Sequence, residues 1–163
     1  MESPSFAPAA FDDPNAAASL QSYYAELDRV FPEGFDPDAW AAITPDETRP
    51  PTGCFILMRH GDETIGCGAV KTLSQGVGEI KRMWIRDDMR GRGLGPKLLA
   101  ELEAQARKLG HVIVRLDTSA HLPIAIAMYK KHGYTEIEPY NDNPYAAHWF
   151  EKPLNQARSP TNA

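Results

Sequence analysis

The spacing of apolar positions changes several times along the chain, and each change marks an element. Residues 16–31 place Leu20, Tyr23, Tyr24, Leu27, Val30 and Phe31 along one side of a helix, with Asp13 or Asn15 available to cap it. A turn at Pro32-Glu33-Gly34 leads to a second, short helix predicted over 37–43, with Asp36 as its cap. Residues 44–51 hold three prolines among polar residues and read as an exposed loop. Period-two patterning then predicts strands over 54–60 and 64–73, joined by a hairpin around Gly61-Asp62. Ser74-Gln75-Gly76 turns the chain into a third strand over 77–86.

From Leu94 the spacing becomes helical: Leu94, Leu98, Leu102, Ala106 and Leu109 share a face, and Gly110 stands where a left-handed cap belongs. Glu103 and Arg107 fall four apart on what reads as the polar side. The nearly continuous apolar run of 111–117 predicts a buried strand. Residues 123–132 form a helix ended by Gly133, and 134–138 with 146–152 make a last strand pair around Asn141-Asp142-Asn143-Pro144. Before the first helix there is room for one short edge strand near 6–10. The polar, aperiodic stretch 153–163 reads as a disordered tail. The pattern is that of one mixed α/β domain over 1–152, with helices on a largely antiparallel sheet.

Composition narrows what such a domain does. The 163 residues are 42% hydrophobic and 24% charged, as in ordinary globular proteins, with a formal net charge of −5 that disfavours nucleic acid as a partner. No apolar run reaches membrane-spanning length, and the first 14 residues lack the basic and apolar regions of a signal peptide, so a cytoplasmic protein without a membrane partner is expected. Cys54 and Cys67 lie in strand segments, far from any metal-ligand spacing, and read as buried thiols; no metal is expected.

The chemistry concentrates in the segment VGEIKRMWIRDDMRGRGLGPKLLAELEAQARKLG, residues 77–110. A strand runs into Arg90-Gly91-Arg92-Gly93-Leu94-Gly95 and then into a helix with Pro96 in its first turn. A helix N-terminus presents backbone N–H groups without partners, together with about half a positive charge. Glycines let a phosphate approach that backbone, and arginines add forked donors. A pyrophosphate-bearing ligand fits. Pro96-Lys97 is not the Gly-Lys-Ser/Thr ending of a P-loop, and Arg86-Asp87-Asp88-Met89 separates strand from glycines as a dinucleotide fold would not.

The arrangement Arg90-x-x-Gly93-x-Gly95 after a strand and short spacer resembles the acetyl-CoA signature of the GNAT family of N-acetyltransferases. A second segment, Ile124-Ala-Ile-Ala-Met-Tyr129-Lys-Lys-His-Gly-Tyr-Thr-Glu-Ile137, is similar to the family's A-I-x-L-Y-x-x-x-G-F/Y segment. The element order is also that of the family over roughly residues 16–152. The resemblance implies acetyl-CoA as co-substrate, held through the backbone of Met83, Trp84 and Ile85 and the turn Arg90, Gly91, Arg92, Gly93, Leu94 and Gly95. It places Tyr129 where the family protonates the departing thiolate; the alternative is a packed ring with its hydroxyl bonded elsewhere. Leu122 stands where many members carry an Asn that contacts the cofactor, leaving His121 or backbone groups to serve.

Glu79 occupies a position resembling that of the family's general base, and reads equally as a strand carboxylate paired with Lys81 or Arg82. Tyr23, Tyr24, Phe31, Phe35, the loop Tyr140–Tyr145 and His148 are candidate walls for the acceptor. The implied reaction is acetyl transfer to a primary amine of a small molecule by direct attack in a ternary complex. A silent acyl-CoA-binding regulatory module and a protein N-terminus or lysine acetyltransferase stay open, as does a homodimer.

Overall fold

The computed structural model describes residues 3–40 and 43–154. Seven strands form one sheet in the order β1-β2-β3-β4-β5-β7-β6. They are β1 (Ser5–Pro8), β2 (Gly53–His60), β3 (Glu63–Ser74), β4 (Val77–Ile85), β5 (Ile113–Thr118), β6 (Thr135–Ile137) and β7 (His148–Pro153). Every neighbouring pair is antiparallel except β4 with β5. That one parallel pair needs a crossover, and α2 (Leu94–Lys108) supplies it.

Helix α1 (Pro14–Val30) covers one face of the sheet, and α2 with α3 (Pro123–Lys131) covers the other. The strand alternation divides the core accordingly. Ile56, Met58, Val70, Ile80, Val114 and Leu116 face Leu98, Leu99 and Leu102 of α2, while Phe55, Leu57, Cys67, Ala69 and Trp84 meet Ala16 and Leu20 of α1. Close approach of α2 requires Gly68, because a Cβ there would lie 2.6 Å from a methyl of Leu102.

Helix α1 begins two residues before the predicted start. The Asp13 carboxylate accepts from the Asn15 N–H at 2.9 Å, and Pro14 takes the first helical position. The short helix predicted over 37–43 is absent from residues 37–40, which form turns; 41–42 lie outside the described residues. Asp36 does cap, accepting from the Asp38 N–H at 2.9 Å, but the turn goes no further. In the stretch read as an exposed loop, Pro45–Thr48 forms a 3-10 turn that buries Thr48.

The C-terminal boundary also moves. Strand β7 runs to Pro153 and Leu154 joins the core, so the domain passes the predicted limit at 152, while 155–163 of the expected tail lie outside the described residues. Glu103, read as a surface partner of Arg107, turns inward: it accepts from Tyr134 Oη at 2.8 Å and pairs with Lys152 Nζ at 3.0 Å. Strand β5 is not buried on both faces. Val114 and Leu116 are buried, while Arg115 and Asp117 are half-buried on the opposite face.

Leu102 is fully buried where α2 meets the sheet. Leu102→Ala should cost about 2–5 kcal/mol, which for a domain of this size lowers Tm by roughly 5–15 °C. Thermal unfolding of the two proteins measures this, and a shift below about 2 °C would contradict the packing described.

Candidate active site

Strands β4 and β5 pair for three residues only: Val77 with Ile113, Gly78 with Val114 and Glu79 with Arg115. Beyond that point they part. Two features of β4 favour the separation. Arg82 has φ of 56°, and three β4 steps from Lys81 to Trp84 oppose two β3 steps from Ala69 to Cys67. This is a β-bulge, which bends a strand and increases its twist. The Arg82 guanidinium, donating to Tyr24 Oη at 3.1 Å, ties the bulge to α1.

A cavity of about 740 Å³ fills the space between the strands. It is lined by Ile80–Ile85 on one side and Leu116–Ser119 on the other, with α1, α3 and the start of α2 closing it. The β4 backbone from Ile80 onward thus forms an open edge inside the protein. Such an edge recruits an extended ligand carrying amide groups.

At one end of the cavity lies the glycine-rich turn. Gly91 and Gly93 have φ of 76° and 74°, in the left-handed region, with nothing within 4 Å of where a Cβ would stand. Helix α2 follows directly, with no side chain capping it and no acidic residue in its first turn. Its first N–H groups are left for an anion. Open space above two left-handed glycines, a helix N-terminus behind them and an unpaired strand edge alongside fit the pyrophosphate and pantetheine of acetyl-CoA.

The arginines differ from the sequence expectation. Arg90 Nε and Nη2 donate to the Ile85 carbonyl at 3.0 and 2.8 Å, and Nη2 binds Glu26 at 2.6 Å. Its side chain fastens the turn to β4 and α1 instead of reaching outward. Arg86 binds Asp88 at 2.6 Å, which holds the Asp88 carboxyl below its usual range, with a smaller contribution from Arg92. The cradle is therefore made chiefly of backbone.

Tyr129 comes to the cavity from α3. Its hydroxyl lies 4.0 Å from Met83 Sδ, and its ring packs on Tyr134 and Phe150 at 5.7 and 6.0 Å. Burial raises its pKa above the ordinary phenol value, so the proton stays on the oxygen throughout the physiological range. The structure brings Tyr129, Met83, Trp84, Ile85, Arg90, Gly91, Gly93, Leu94 and Gly95 of the residues singled out in the sequence around one cavity.

Glu79 is not among them. Its side chain is 3% exposed, accepts from Tyr140 Oη at 2.6 Å and pairs with Lys81 Nζ at 3.7 Å. A general base needs a lone pair open to the incoming amine, and these two partners cover this carboxylate. Glu79 instead fixes the loop that carries Tyr140, whose own pKa is raised by burial and by this carboxylate. His148 likewise binds Glu136 at 2.7 Å, away from the cavity. Of the predicted acceptor walls, Tyr23, Phe31, Phe35, Asn143 and Tyr145 line the cavity; Tyr24, Tyr140 and His148 do not. Burial pushes the Tyr23 hydroxyl up to about 12.

Sequence reasoning passed over Asp117, a β5 residue on the cavity wall. Asn141 Nδ2 and Asn143 Nδ2 donate to its two oxygens at 2.7 and 3.1 Å. Its signal was present in the alternation Arg115-x-Asp117, two charges on one face of a strand otherwise apolar.

Comparison with known proteins agrees with this geometry. The profile of the acetyltransferase (GNAT) family matches residues 20–134. An IAA acetyltransferase of Azospirillum brasilense is 30% identical over 133 residues, covering 79% of this chain and 86% of that protein. An N-acetyltransferase of Schizosaccharomyces pombe is 38% identical over 98 residues, 58% of this chain and 60% of its own length. Among solved structures, an acyl-CoA N-acyltransferase from Klebsiella pneumoniae superposes with a TM-score of 0.73 at 31% identity, covering 93% of this chain and 98% of the other. A Salmonella typhimurium acetyltransferase with acetyl-CoA bound shares the fold, with a TM-score of 0.70 at 16% identity over 98% of each chain. These likenesses, with an opened parallel strand pair and a glycine turn at a helix N-terminus, show that the chain belongs to the GNAT family of acetyltransferases, which take their acetyl group from acetyl-CoA.

Proposed function

We propose that this protein transfers the acetyl group to a primary amine of a small molecule, with amine and acetyl-CoA in the cleft together. The observation that carries the reading is the parting of β4 from β5 with Tyr129 standing between them. Acetyl-CoA supplies a thioester carbonyl and a thiolate leaving group. The Met83–Ile85 edge holds the pantetheine arm through backbone groups and sets the thioester beside Tyr129. As the amine nitrogen bonds to the thioester carbon and the C–S bond breaks, the phenol donates its proton to the departing sulfur and is restored by the proton that the nitrogen gives up.

Direct attack is supported by the cysteines. Neither Cys54 nor Cys67 lines the cavity, both are buried, and burial pushes their thiols up to about 11 and about 12. Thiols so held carry little thiolate at neutral pH and make poor covalent relays. A cavity lined by α1, α3 and Asn143, Tyr145 and Ala146 of the loop before β7 suits a small acceptor better than a chain.

Thiol release from acetyl-CoA over a panel of small primary amines tests the activity. Turnover with at least one of them is expected; acetyl-CoA binding with no turnover on any would contradict the proposal. Gly93→Val places a β-branched residue at a φ of 74° and a side chain where the pyrophosphate would sit. Calorimetry should show acetyl-CoA affinity falling more than tenfold with the fold retained, whereas unchanged affinity would mean that the phosphates bind elsewhere. Tyr129→Phe should lower kcat by about 10²-fold or more, while acetyl-CoA affinity stays within a few-fold. A mutant with wild-type kcat would remove Tyr129 from the chemistry.

A further inference from the structure

The geometry points to Asp117 and the aromatic wall beside it as the acceptor subsite, selecting a primary ammonium attached to an aromatic or bulky apolar body. This deepens the reading of the cleft as an amine acetyltransferase and rests on it.

Asp117 has no cationic partner among the described residues. The nearby cations are engaged: Lys81 pairs with Glu79 at 3.7 Å, and Arg115 binds Glu151 at 2.8 Å while lying over the Tyr140 ring. Asp117 holds only the neutral amides of Asn141 and Asn143. Two amide donors fix a carboxylate in place without cancelling its charge. A negative charge is thus held at the cavity wall, and a ligand cation is its natural complement.

The same loop that fixes Asp117 also builds the apolar wall. Asn143 Oδ1 accepts from the Tyr145 N–H at 3.0 Å, and the Ala147 N–H donates to the Thr118 carbonyl at 2.9 Å. Tyr145 is thereby held two residues from the Asp117 clamp. Its ring meets Phe35 at 4.8 Å and stacks on Phe31 at 5.7 Å, and the His121 ring lies 6.0 Å from that of Phe31. Tyr145 Oη in turn accepts from the Asp36 N–H at 2.9 Å, closing the wall against the segment after α1. One rigid unit therefore presents a fixed anion and an aromatic surface to the same cavity.

This pairing discriminates between amine classes. An aromatic or apolar body stacks on the rings while its ammonium meets Asp117. The second ammonium of a polyamine would lose hydration against those rings. An amino acid would bring its carboxylate toward Asp36 and Asp117; of the cations lining the cavity, Arg90 binds Glu26, Lys81 binds Glu79 and Arg82 donates to Tyr24, and Lys131 stands in the last turn of α3.

The test is equilibrium binding to the full chain in the presence of coenzyme A, by calorimetry. Its probes are phenethylamine, its neutral isostere 2-phenylethanol, ethylamine, spermidine and phenylalanine. Wild type should bind phenethylamine at least tenfold more tightly than each of the others. In Asp117→Asn the preference for phenethylamine over 2-phenylethanol should collapse, a loss of about 10- to 100-fold, as expected for a hydrogen bond to a charged group. A general loss of structure would weaken both probes alike. Tyr145→Ala should weaken phenethylamine and leave ethylamine within a few-fold.

Equal binding of phenethylamine and 2-phenylethanol to wild type, tighter binding of spermidine or phenylalanine, or no binding of phenethylamine at millimolar concentration would each overturn the inference. These outcomes need no folded variant. They are also separate from thiol release: failure of turnover with this binding order intact would overturn the transfer reaction and leave the subsite standing.

Discussion

The structure depends on the interruption of one hydrogen-bonded ladder. A parallel strand pair inside a sheet ordinarily continues, because unpaired backbone groups cost free energy when they lose water. Here β4 and β5 separate after Glu79 and Arg115, and the bulge at Arg82 turns the remainder of β4 aside. Two layers of packing hold the halves together despite the gap. Leu98, Leu99 and Leu102 of α2 grip Ile80, Val114 and Leu116 from one face, and α1 closes on Trp84 from the other. The opened edge lines the cavity, and the helix that bridges the two strands begins at the glycine turn.

Charge is distributed to the same end. Glu79 with Lys81 and Glu103 with Lys152 are pairs whose carboxylates are buried, and each carboxylate also receives a tyrosine hydroxyl, so neither of these two buried charges stands alone. Arg90 is bound by Glu26 and by the Ile85 carbonyl, which makes it a brace for the glycine turn. With these pairs satisfied, the cavity keeps the helix N-terminus at one end and the Asp117 carboxylate at its wall. One suits an anionic cofactor and the other a cationic acceptor.

Much of this was legible locally. The leucines of 94–109, the two motifs and the strand alternation are short-range patterns, and the residues the motifs single out at 83–85, 91, 93–95 and 129 line one cavity. What failed depends on residues distant in sequence. Glu79 lies on a strand face whose cover comes from Tyr140, 61 residues later, and Arg90 meets Glu26 from 64 residues before. No periodicity encodes those meetings. The short helix expected over 37–43 failed for another reason: an Asp36 cap serves a single turn as well as a helix, and its strength says nothing about length. Asp117 was passed over at the end of a strand read as nearly continuously apolar, because the sequence of one strand cannot show that its neighbour departs midway.

Amide hydrogen exchange with and without acetyl-CoA tests the central claim most directly, since that claim concerns backbone groups. If the parted strand and the glycine turn hold the cofactor, binding should slow exchange at residues 80–85 and 91–97 well beyond any general stabilisation. Residues of β1, β2 and β6 should follow only the global change. Protection confined to other segments, with 80–85 exchanging as in the free protein, would contradict the account.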